Sequence, residues 1–325
     1  MRNLIESFPA QLEQALAIGN KAQLKPAKNK IQNILITGLG GSGIGGSIVT
    51  ELVAKECPVP ISVNKNYEIP AYVDEHTLLI VSSYSGNTEE TMTALGQAQK
   101  QGAEIAIITS GGQAHDIAQE NGYNCIVVPG GNPPRSMLAF SLTQQFVLLN
   151  HYGFISNAFK ASIQSFVDQL DQKGMEAETL EIAKKLEGTL PVIYAIDGFE
   201  GVAVRFRQQL NENAKMLCWH AVVPEMNHNE LVGWANGTNQ MAVVYFRNET
   251  DFNRNQKRIE INKEIISRYT NRIHEIWSKG ESNLERALYH IHYGDWISLH
   301  LSGINQVDVM EIEVIDHLKS ELSKF

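Results

Sequence analysis

Short apolar runs alternate with longer amphipathic stretches along most of the chain. In the amino-terminal half these runs have the length of strands and lie at 33–38, 60–64, 76–83, 104–110 and 124–129. Apolar runs separated by helix-length amphipathic segments are typical of a parallel sheet with crossover helices. The pattern therefore predicts an α/β unit in this half.

A largely apolar segment is predicted to close this unit as a helix, beginning with Ser136 as its capping residue and ending near Gly153. A polar helical connector near 156–189 follows. Strand-like runs then return at 191–197, 240–246 and 271–277. The opening units of the two halves have the same order of strand, glycine-containing turn and helix.

We therefore expect two domains, residues 1–154 and residues 155–325, in an α/β fold. Each should be a mostly parallel sheet flanked by helices, as in a flavodoxin-like three-layer sandwich. The chain has 325 residues, of which 43% are hydrophobic and 19% charged, which is enough for two cores.

The net charge of −9 changes what kind of ligand site to expect. It favours neither a nucleic-acid nor a membrane partner, and an anionic small molecule would need a local device to hold it. No run approaches the ~18 apolar residues of a membrane span, and the amino terminus has no signal-peptide pattern. We expect a cytoplasmic protein.

The three cysteines are far apart and lie in apolar or mixed segments, which favours buried free thiols. The sequence His228–Asn229–Glu230 matches half of a zinc deaminase motif, but the PCxxC that must follow is missing because no cysteine follows Cys218. No HExxH occurs either. We expect no metal and no cofactor.

Gly38, Gly40 and Gly43 have the GxGxxG spacing directly after a predicted strand. A dinucleotide site also needs an acidic residue about 20 positions further on, at the end of the second strand. That position is occupied by residues 64–66, Asn-Lys-Asn, and the nearest acid is Glu68 in the following loop. A nicotinamide site is therefore disfavoured.

A second phosphate device follows the third predicted strand, where Ser83, Ser85 and Thr88 precede a helix. Hydroxyls and the free N–H groups of a helix start can hold a phosphate without lysine or arginine. A plain helix cap is the alternative interpretation. Both loops lie at carboxyl ends of strands in one sheet, where open α/β folds bind ligands, and this favours a site.

Four motifs in this order, GLGGSGIGG (38–46), SYSGNTEET (83–91), NPPR (132–135) and EMNHNE (225–230), resemble the bifunctional phosphoglucose/phosphomannose isomerases, which are built from two sugar-isomerase (SIS) domains. The resemblance covers nearly the whole chain. It implies interconversion of glucose 6-phosphate and fructose 6-phosphate through an enediolate. It also implies that the 6-phosphate is bound by Gly40, Gly41, Ser42, Ser83, Ser85 and Thr88.

The same resemblance supplies four catalytic residues: Glu212 for proton transfer, His228 for ring opening, Arg135 beside the developing oxyanion and Lys319 as a sugar contact. Such roles suit the residue types, because a carboxylate can move a proton between carbons and a guanidinium can stabilise an enediolate. Without the motif context Glu212 would be a solvated helix residue. Arg135 would be a surface cation, and Lys319 a lysine favoured by the helix dipole.

Glu225 and Glu230 flank His228 and could orient its ring, but we leave them outside the catalytic set. Family members that accept both epimers carry a threonine in the carboxyl-terminal region, whereas residues 303–322 contain none. The aldose substrate is therefore left open between glucose 6-phosphate alone and glucose with mannose 6-phosphate.

The resemblance further implies a homodimer with a shared active site, in which Glu212 comes from one subunit and His228 from the other. Two alternatives are an isomerase of another phosphosugar and a non-catalytic sugar-phosphate-binding SIS protein. The second would need an output module, and no helix-turn-helix segment with a basic face is evident in the first 30 residues or at the end of the sequence.

Overall fold

A computed structural model describes residues 1–324 and contains two parallel sheets. The first sheet has the strand order β2-β1-β3-β4-β5, and the second has the order β7-β6-β8-β9. The first-sheet strands are β1 (Asn33–Thr37), β2 (Ile61–Asn64), β3 (Thr77–Ser82), β4 (Glu104–Thr109) and β5 (Asn124–Val127). The second-sheet strands are β6 (Leu190–Ile196), β7 (Trp219–Val223), β8 (Met241–Arg247) and β9 (Ile273–Trp277).

Helices connect and cover these strands. In the first half they are α1 (Arg2–Glu6), α2 (Phe8–Lys21), α3 (Gly40–Val53), α4 (Glu89–Lys100), α5 (Gly112–Asn121) and α6 (Leu138–His151). In the rest of the chain they are α7 (Ala158–Gln169), α8 (Gln172–Leu186), α9 (Glu200–Ala214), α10 (Glu230–Gly233), α11 (Asn253–Ile266), α12 (Asn283–Ile304) and α13 (Glu313–Leu322).

Side chains alternate between the two faces of each sheet, as a period of two requires. On β1, Ile34 and Ile36 point into one hydrophobic cluster and Leu35 into another. On β6, Ile193 enters the same cluster as Ile34, while Tyr194 enters a separate one. A single helical layer containing α3, α6, α9 and α12 therefore lies against both sheets, and outer helices cover their far faces.

The α/β fold with parallel sheets flanked by helices is as expected, and the first sheet has the strand order of flavodoxin-like folds. The eight strand-like runs are confirmed as strands, but the sequence pattern missed β7, a partly exposed edge strand at Trp219–Val223. The polar connector consists of α7 and α8. The division of the chain after residue 154 stays a prediction.

Ser136 does not cap α6 as predicted. It lies in a 3₁₀ turn, Pro134–Ser136, and its hydroxyl donates to the Pro133 carbonyl at 2.7 Å, while Met137 occupies the capping position. The two prolines produce this turn because they fix the backbone and offer no N–H group.

All three cysteines are free thiols, as expected, although they are partly rather than fully buried. Burial raises the pKa of Cys125 and Cys218 to about 11, so neither is a reactive thiolate near neutral pH. Within residues 1–324 no helix is long and apolar enough to cross a membrane.

Candidate active site

The glycine loop is the start of α3. The helix begins at Gly40, directly after β1, and its capping residue Leu39 offers no side-chain hydrogen bond to the first turn. Gly40 has a φ of 53°, a conformation that favours glycine. The N–H groups of this first turn have no side-chain cap, and such groups together with the helix dipole favour an anion.

The serine-rich loop after β3 lies against this helix start. The Ser42 hydroxyl accepts a hydrogen bond from the Tyr84 N–H at 3.1 Å, and the Ser82 hydroxyl donates to the Ser42 carbonyl at 3.3 Å. Ser83 and Thr88 exchange a hydrogen bond at 3.1 Å between their hydroxyl oxygens. The two loops are thus joined by direct contacts.

Ser85 is exposed, and its hydroxyl accepts from the Asn87 N–H at 3.3 Å. Thr88 occupies the capping position of α4 without a side-chain hydrogen bond to that helix. The hydroxyl of Thr88 is therefore directed to Ser83 rather than used as the cap that the alternative interpretation requires. The structure places all the predicted phosphate-binding residues at one edge of the first sheet.

Gly41 brings the third motif to this edge. A β-carbon at Gly41 would lie 2.9 Å from the Pro134 carbonyl oxygen and 3.2 Å from the Arg135 Cα. Real β-carbons are essentially never this close to backbone atoms, so only glycine lets the NPPR turn pack against α3. The backbone of Arg135 is thereby fixed beside the loop.

The Arg135 side chain then reaches α9 in the second half. It is 4% exposed, its Nε donates to Asn213 Oδ1 at 2.8 Å, and Nη2 donates to the Val309 carbonyl at 2.6 Å. Nη1 lies 3.4 Å from Glu212 Oε2. Burial lowers the pKa of Arg135, and the carboxylate of Glu212 opposes that effect.

Glu212 lies in the last turn of α9 and is partly exposed. Lys215 ends the helix in the left-handed conformation, with a φ of 57°. Its Nζ donates to the carbonyls of Glu212 at 2.6 Å and Glu311 at 2.7 Å. The end of α9 is thus tied to the segment that leads into α13.

Lys319 is exposed on α13, a helix none of whose described side chains is buried. The segment before this helix is held at Val309 by Arg135 and at Glu311 by Lys215. The carboxyl-terminal helix therefore starts beside Arg135 and Glu212.

His228 lies elsewhere. It is exposed in a 3₁₀ turn, Glu225–His228, that follows the carboxyl end of β7. Glu212 precedes β7 and therefore lies toward the amino-terminal end of this strand, whereas His228 follows its carboxyl-terminal end. The five residues of β7, at about 3.3 Å each, place its two ends about 16 Å apart. Within one chain, His228 and Glu212 are not brought together.

Glu230 anchors the loop that carries His228. Its Oε1 accepts from the Tyr194 hydroxyl at 2.5 Å and from Trp219 Nε1 at 3.1 Å, and the Tyr194 oxygen accepts from Trp234 Nε1 at 2.8 Å. Burial, and then the Glu230 carboxylate, raise the pKa of Tyr194, which keeps its hydroxyl a donor. Glu225, in contrast, is exposed and accepts from Asn229 at 2.9 Å.

Sequence reasoning missed Asn213, Lys215 and the carbonyl of Val309. One signal was present, because Arg205, Gln209 and Asn213 interrupt the apolar face of α9 at helical spacing and are nevertheless buried. Polar residues on such a face need partners, and Arg135 is a partner of both Asn213 and Arg205. Among residues 1–324 no cluster of His, Cys, Asp or Glu has the arrangement of a metal site.

Comparison with known proteins supports a relationship across both halves. Residues 28–152 match the SIS domain family, and residues 175–322 match the bacterial phospho-glucose isomerase C-terminal SIS domain. The chain superposes with a TM-score of 0.77 on the C-terminal domain of glucosamine-fructose-6-phosphate aminotransferase from Francisella tularensis, at 15% identity, covering 94% of this chain and 96% of that one. This similarity shows the fold.

Two curated relatives extend the match. The chain is 35% identical to D-glucosamine-6-phosphate 4-epimerase of Sulfolobus acidocaldarius over 63% of this chain and 65% of the relative. It is also 35% identical to the bifunctional phosphoglucose/phosphomannose isomerase of Caldicellulosiruptor bescii, and that alignment covers 98% of both chains. The chain belongs to the bifunctional phosphoglucose/phosphomannose isomerase family.

Proposed function

We propose that the protein is an aldose-ketose isomerase that interconverts glucose 6-phosphate and fructose 6-phosphate and also accepts mannose 6-phosphate. The observation that carries the proposal is the position of Arg135. Its backbone packs against the phosphate loop at Gly41, and its guanidinium lies 3.4 Å from the carboxylate of Glu212. An anion site, a cation and a carboxylate are thus adjacent, as the reaction requires.

In this proposal the hydroxyls of Ser42, Ser83, Ser85 and Thr88 and the N–H groups of Gly40 and Gly41 hold the 6-phosphate. All of these residues directly follow the carboxyl-terminal ends of β1 and β3 in the first sheet. The sugar then extends toward the end of α9. The remote phosphate contacts position the reacting carbons, so they increase kcat as well as the affinity for the substrate.

Proton transfer is assigned to Glu212. Its carboxylate removes the proton from C2 of the open-chain aldose, the C1–C2 bond becomes double, and O1 takes the negative charge of the enediolate. The acid then returns the proton to C1, while the hydroxyl proton of O2 moves to O1 and O2 becomes the ketone. Arg135 stabilises the enediolate more than the neutral aldose, so its contribution lowers the barrier.

Ring opening is assigned to His228, with Lys319 contacting the sugar. Histidine suits the first role because its pKa lies near neutrality. His228 and Glu212 lie at opposite ends of the second-sheet strands. We therefore propose a homodimer in which the His228 of a second copy completes each site. Leu217 follows Glu212 closely in sequence and Val232 follows His228; both are large apolar residues, with exposures of 82% and 79%. A dimer interface that buried Leu217 of one copy against Val232 of the other would bring Glu212 of the first copy toward His228 of the second.

The experiment that tests the function is a set of coupled assays with purified protein on fructose 6-phosphate, glucose 6-phosphate and mannose 6-phosphate. Glucosamine 6-phosphate, which the name of the Sulfolobus acidocaldarius relative specifies, is the comparison substrate for the alternative that the protein acts on another phosphosugar. We expect turnover of the first three. A folded protein that binds fructose 6-phosphate without converting it would instead support a sugar-phosphate-binding SIS protein.

The shared site is tested by mixing Glu212→Gln and His228→Ala after joint unfolding and refolding. Random pairing makes half of the dimers mixed, and each mixed dimer has one intact site, so roughly a quarter of wild-type activity should return. If both residues acted within one subunit, remixing would leave the activity at the level of the separate variants.

A further inference from the structure

Every nitrogen of the Arg135 guanidinium has a protein partner. Nε donates to Asn213 Oδ1 at 2.8 Å, Nη2 donates to the Val309 carbonyl at 2.6 Å, and Nη1 faces Glu212 Oε2 at 3.4 Å. Only Nη1 faces a side chain proposed to react. The other two contacts therefore act as anchors.

The amide of Asn213 is held in one orientation. Its Nδ2 donates to Ser298 Oγ at 3.0 Å, and the Ser298 hydroxyl donates to the Asp295 carbonyl at 2.7 Å. Guanidinium Nε can only donate, so the amide oxygen must face Arg135 and the amide nitrogen must face Ser298. Asn213 is 0% exposed, and water does not compete for these bonds.

Two anchored nitrogens determine where the third one lies, because a guanidinium is planar. The backbone of Arg135 is held as well, since its carbonyl accepts from Arg205 Nη2 at 2.6 Å. The same Arg205 nitrogen donates to Asp295 Oδ2 at 2.9 Å. Asn213 and Arg205 of α9, each bonded to the middle of α12, thus support the guanidinium and the backbone of Arg135 respectively.

We propose that Asn213 is a positioning residue that aims Arg135 at the reacting oxygen beside Glu212. This inference rests on the proposed function, which supplies the identity of the reaction. Asn213 acts through Arg135 and does not touch the substrate. A fixed donor costs no reorganisation as charge develops, and loss of that fixation lowers kcat more than it affects substrate binding.

The first test compares Asn213→Ala with Asn213→Asp. The alanine removes the acceptor for Nε and should lower kcat roughly 30-fold with KM changed less than about 3-fold. The aspartate keeps an acceptor of the same shape and should restore kcat to within about 5-fold of wild type. Equal losses in both variants would contradict the proposal. The matched control is Asn150→Ala at the far end of α6, which removes a partly buried amide that donates to the Ile155 carbonyl at 2.9 Å and should change kcat less than about 3-fold.

A double-mutant cycle with Arg135→Ala separates positioning from general support of the fold. If Asn213 acts through Arg135, then Asn213→Ala costs less than about 2-fold in kcat once Arg135 is absent. The same 30-fold cost in both backgrounds would overturn the proposal while leaving the isomerase function intact.

A spectroscopic measurement does not depend on turnover. In ¹⁵N NMR of the full chain, the Arg135 Nε–H signal should be protected from exchange with water in wild type and in Asn213→Asp, and unprotected in Asn213→Ala. An unprotected signal in wild type would refute the positioning role. A protected signal in a protein without turnover would support the positioning role and contradict only the proposed reaction.

Discussion

The two halves of the molecule contain the same unit of central strand, turn and helix, yet they use the start of the helix differently. In the first half, α3 begins with Gly40 and has no side-chain cap. In the second half, the Gly201 N–H in the first turn of α9 donates to both carboxylate oxygens of Glu51, at 2.9 and 3.1 Å. Where the anion is supplied by the protein itself, no ligand site arises.

A repeated fold therefore does not repeat the arrangement at its helix start. Both helix starts favour a negative charge for the same electrostatic reason. In the second half the carboxyl group of Glu51 occupies this position and joins α3 to α9. In the first half the helix start has no side-chain cap, and we propose that a phosphate binds there. The second unit contributes instead through its far end, where Glu212 and Asn213 lie.

The largest expected effect separates anion binding in the first half from proton transfer in the second. Glu212→Gln removes the proposed base and should lower kcat by about 10³-fold, since acid–base groups contribute roughly 10² to 10⁴. Binding of fructose 6-phosphate, measured by calorimetry, should change less than about 3-fold because the phosphate contacts remain. Glu264→Gln, at an exposed position on α11, is the control and should behave as wild type. Activity retained in Glu212→Gln would place proton transfer elsewhere.

A smaller effect is expected at Gly41, where the bare helix start packs against the NPPR turn. Gly41→Ala should lower kcat/KM by about 10- to 100-fold, because the new methyl group displaces the backbone of Pro134 and Arg135. Steady-state kinetics checks this. Gly96→Ala on α4, where a β-carbon meets nothing within 4 Å, is the matched control and should be neutral. Equal kinetics for the two variants would mean that the turn adjusts freely.

At Ser85 the expected change is mainly in binding. Ser85→Ala removes one proposed phosphate donor and should raise KM by about 5- to 10-fold, with a smaller loss of kcat because remote binding energy supports the chemical step. Ser267→Ala, which removes an exposed hydroxyl that donates to the Glu264 carbonyl at 2.8 Å, is the control. An unchanged KM for Ser85→Ala would favour the plain helix cap.

The smallest effect concerns stability at the filled helix start. Burial raises the pKa of Glu51 to about 7, with Glu200 and Asp197 adding to the rise and the Gly201 N–H and Lys65 opposing it. The folded state therefore holds this proton more tightly than the unfolded state. The resulting stabilisation is fully present below about pH 4.5, the ordinary value for glutamate, and is lost as pH rises through about 7.

Glu51→Gln removes this titration, and its amide oxygen can still accept from Gly201. Between pH 4.5 and 8 the free energy of unfolding of wild type should therefore fall relative to the variant by on the order of 2 to 3 kcal/mol. Urea unfolding at several pH values measures the difference. Parallel pH curves would contradict the assignment to Glu51.

Much of this arrangement was predictable because local patterns decide it. Strand-like runs bounded by turns predicted every strand except β7, whose edge position leaves its residues partly exposed and weakens the apolar signal. The clustering of Ser42 with Ser83 and Thr88 followed from two loops at the carboxyl ends of adjacent strands.

Contacts between distant segments were not predictable in this way. Nothing near Arg135 in sequence indicates that its partners are Asn213 and Val309, because those contacts depend on how α9 and the carboxyl-terminal segment pack against the NPPR turn. The prediction that Ser136 caps α6 was wrong because the preceding prolines impose a 3₁₀ turn that includes Ser136, so Met137 takes the capping position. The roles assigned to the site residues remain predictions.

The hydrophobic layer between the two sheets bears on how the chain folds. One continuous cluster includes Phe8 of α2, Phe146 of α6, Phe206 of α9 and Trp296 of α12. Neither half can expose its share of this layer without uncovering the other half's apolar surface. The chain should therefore melt in a single calorimetric transition whose van't Hoff and calorimetric enthalpies agree. Residues 1–154 expressed alone should form a partly structured species that binds hydrophobic dyes, because they lack the α9 and α12 side chains that cover their part of this layer.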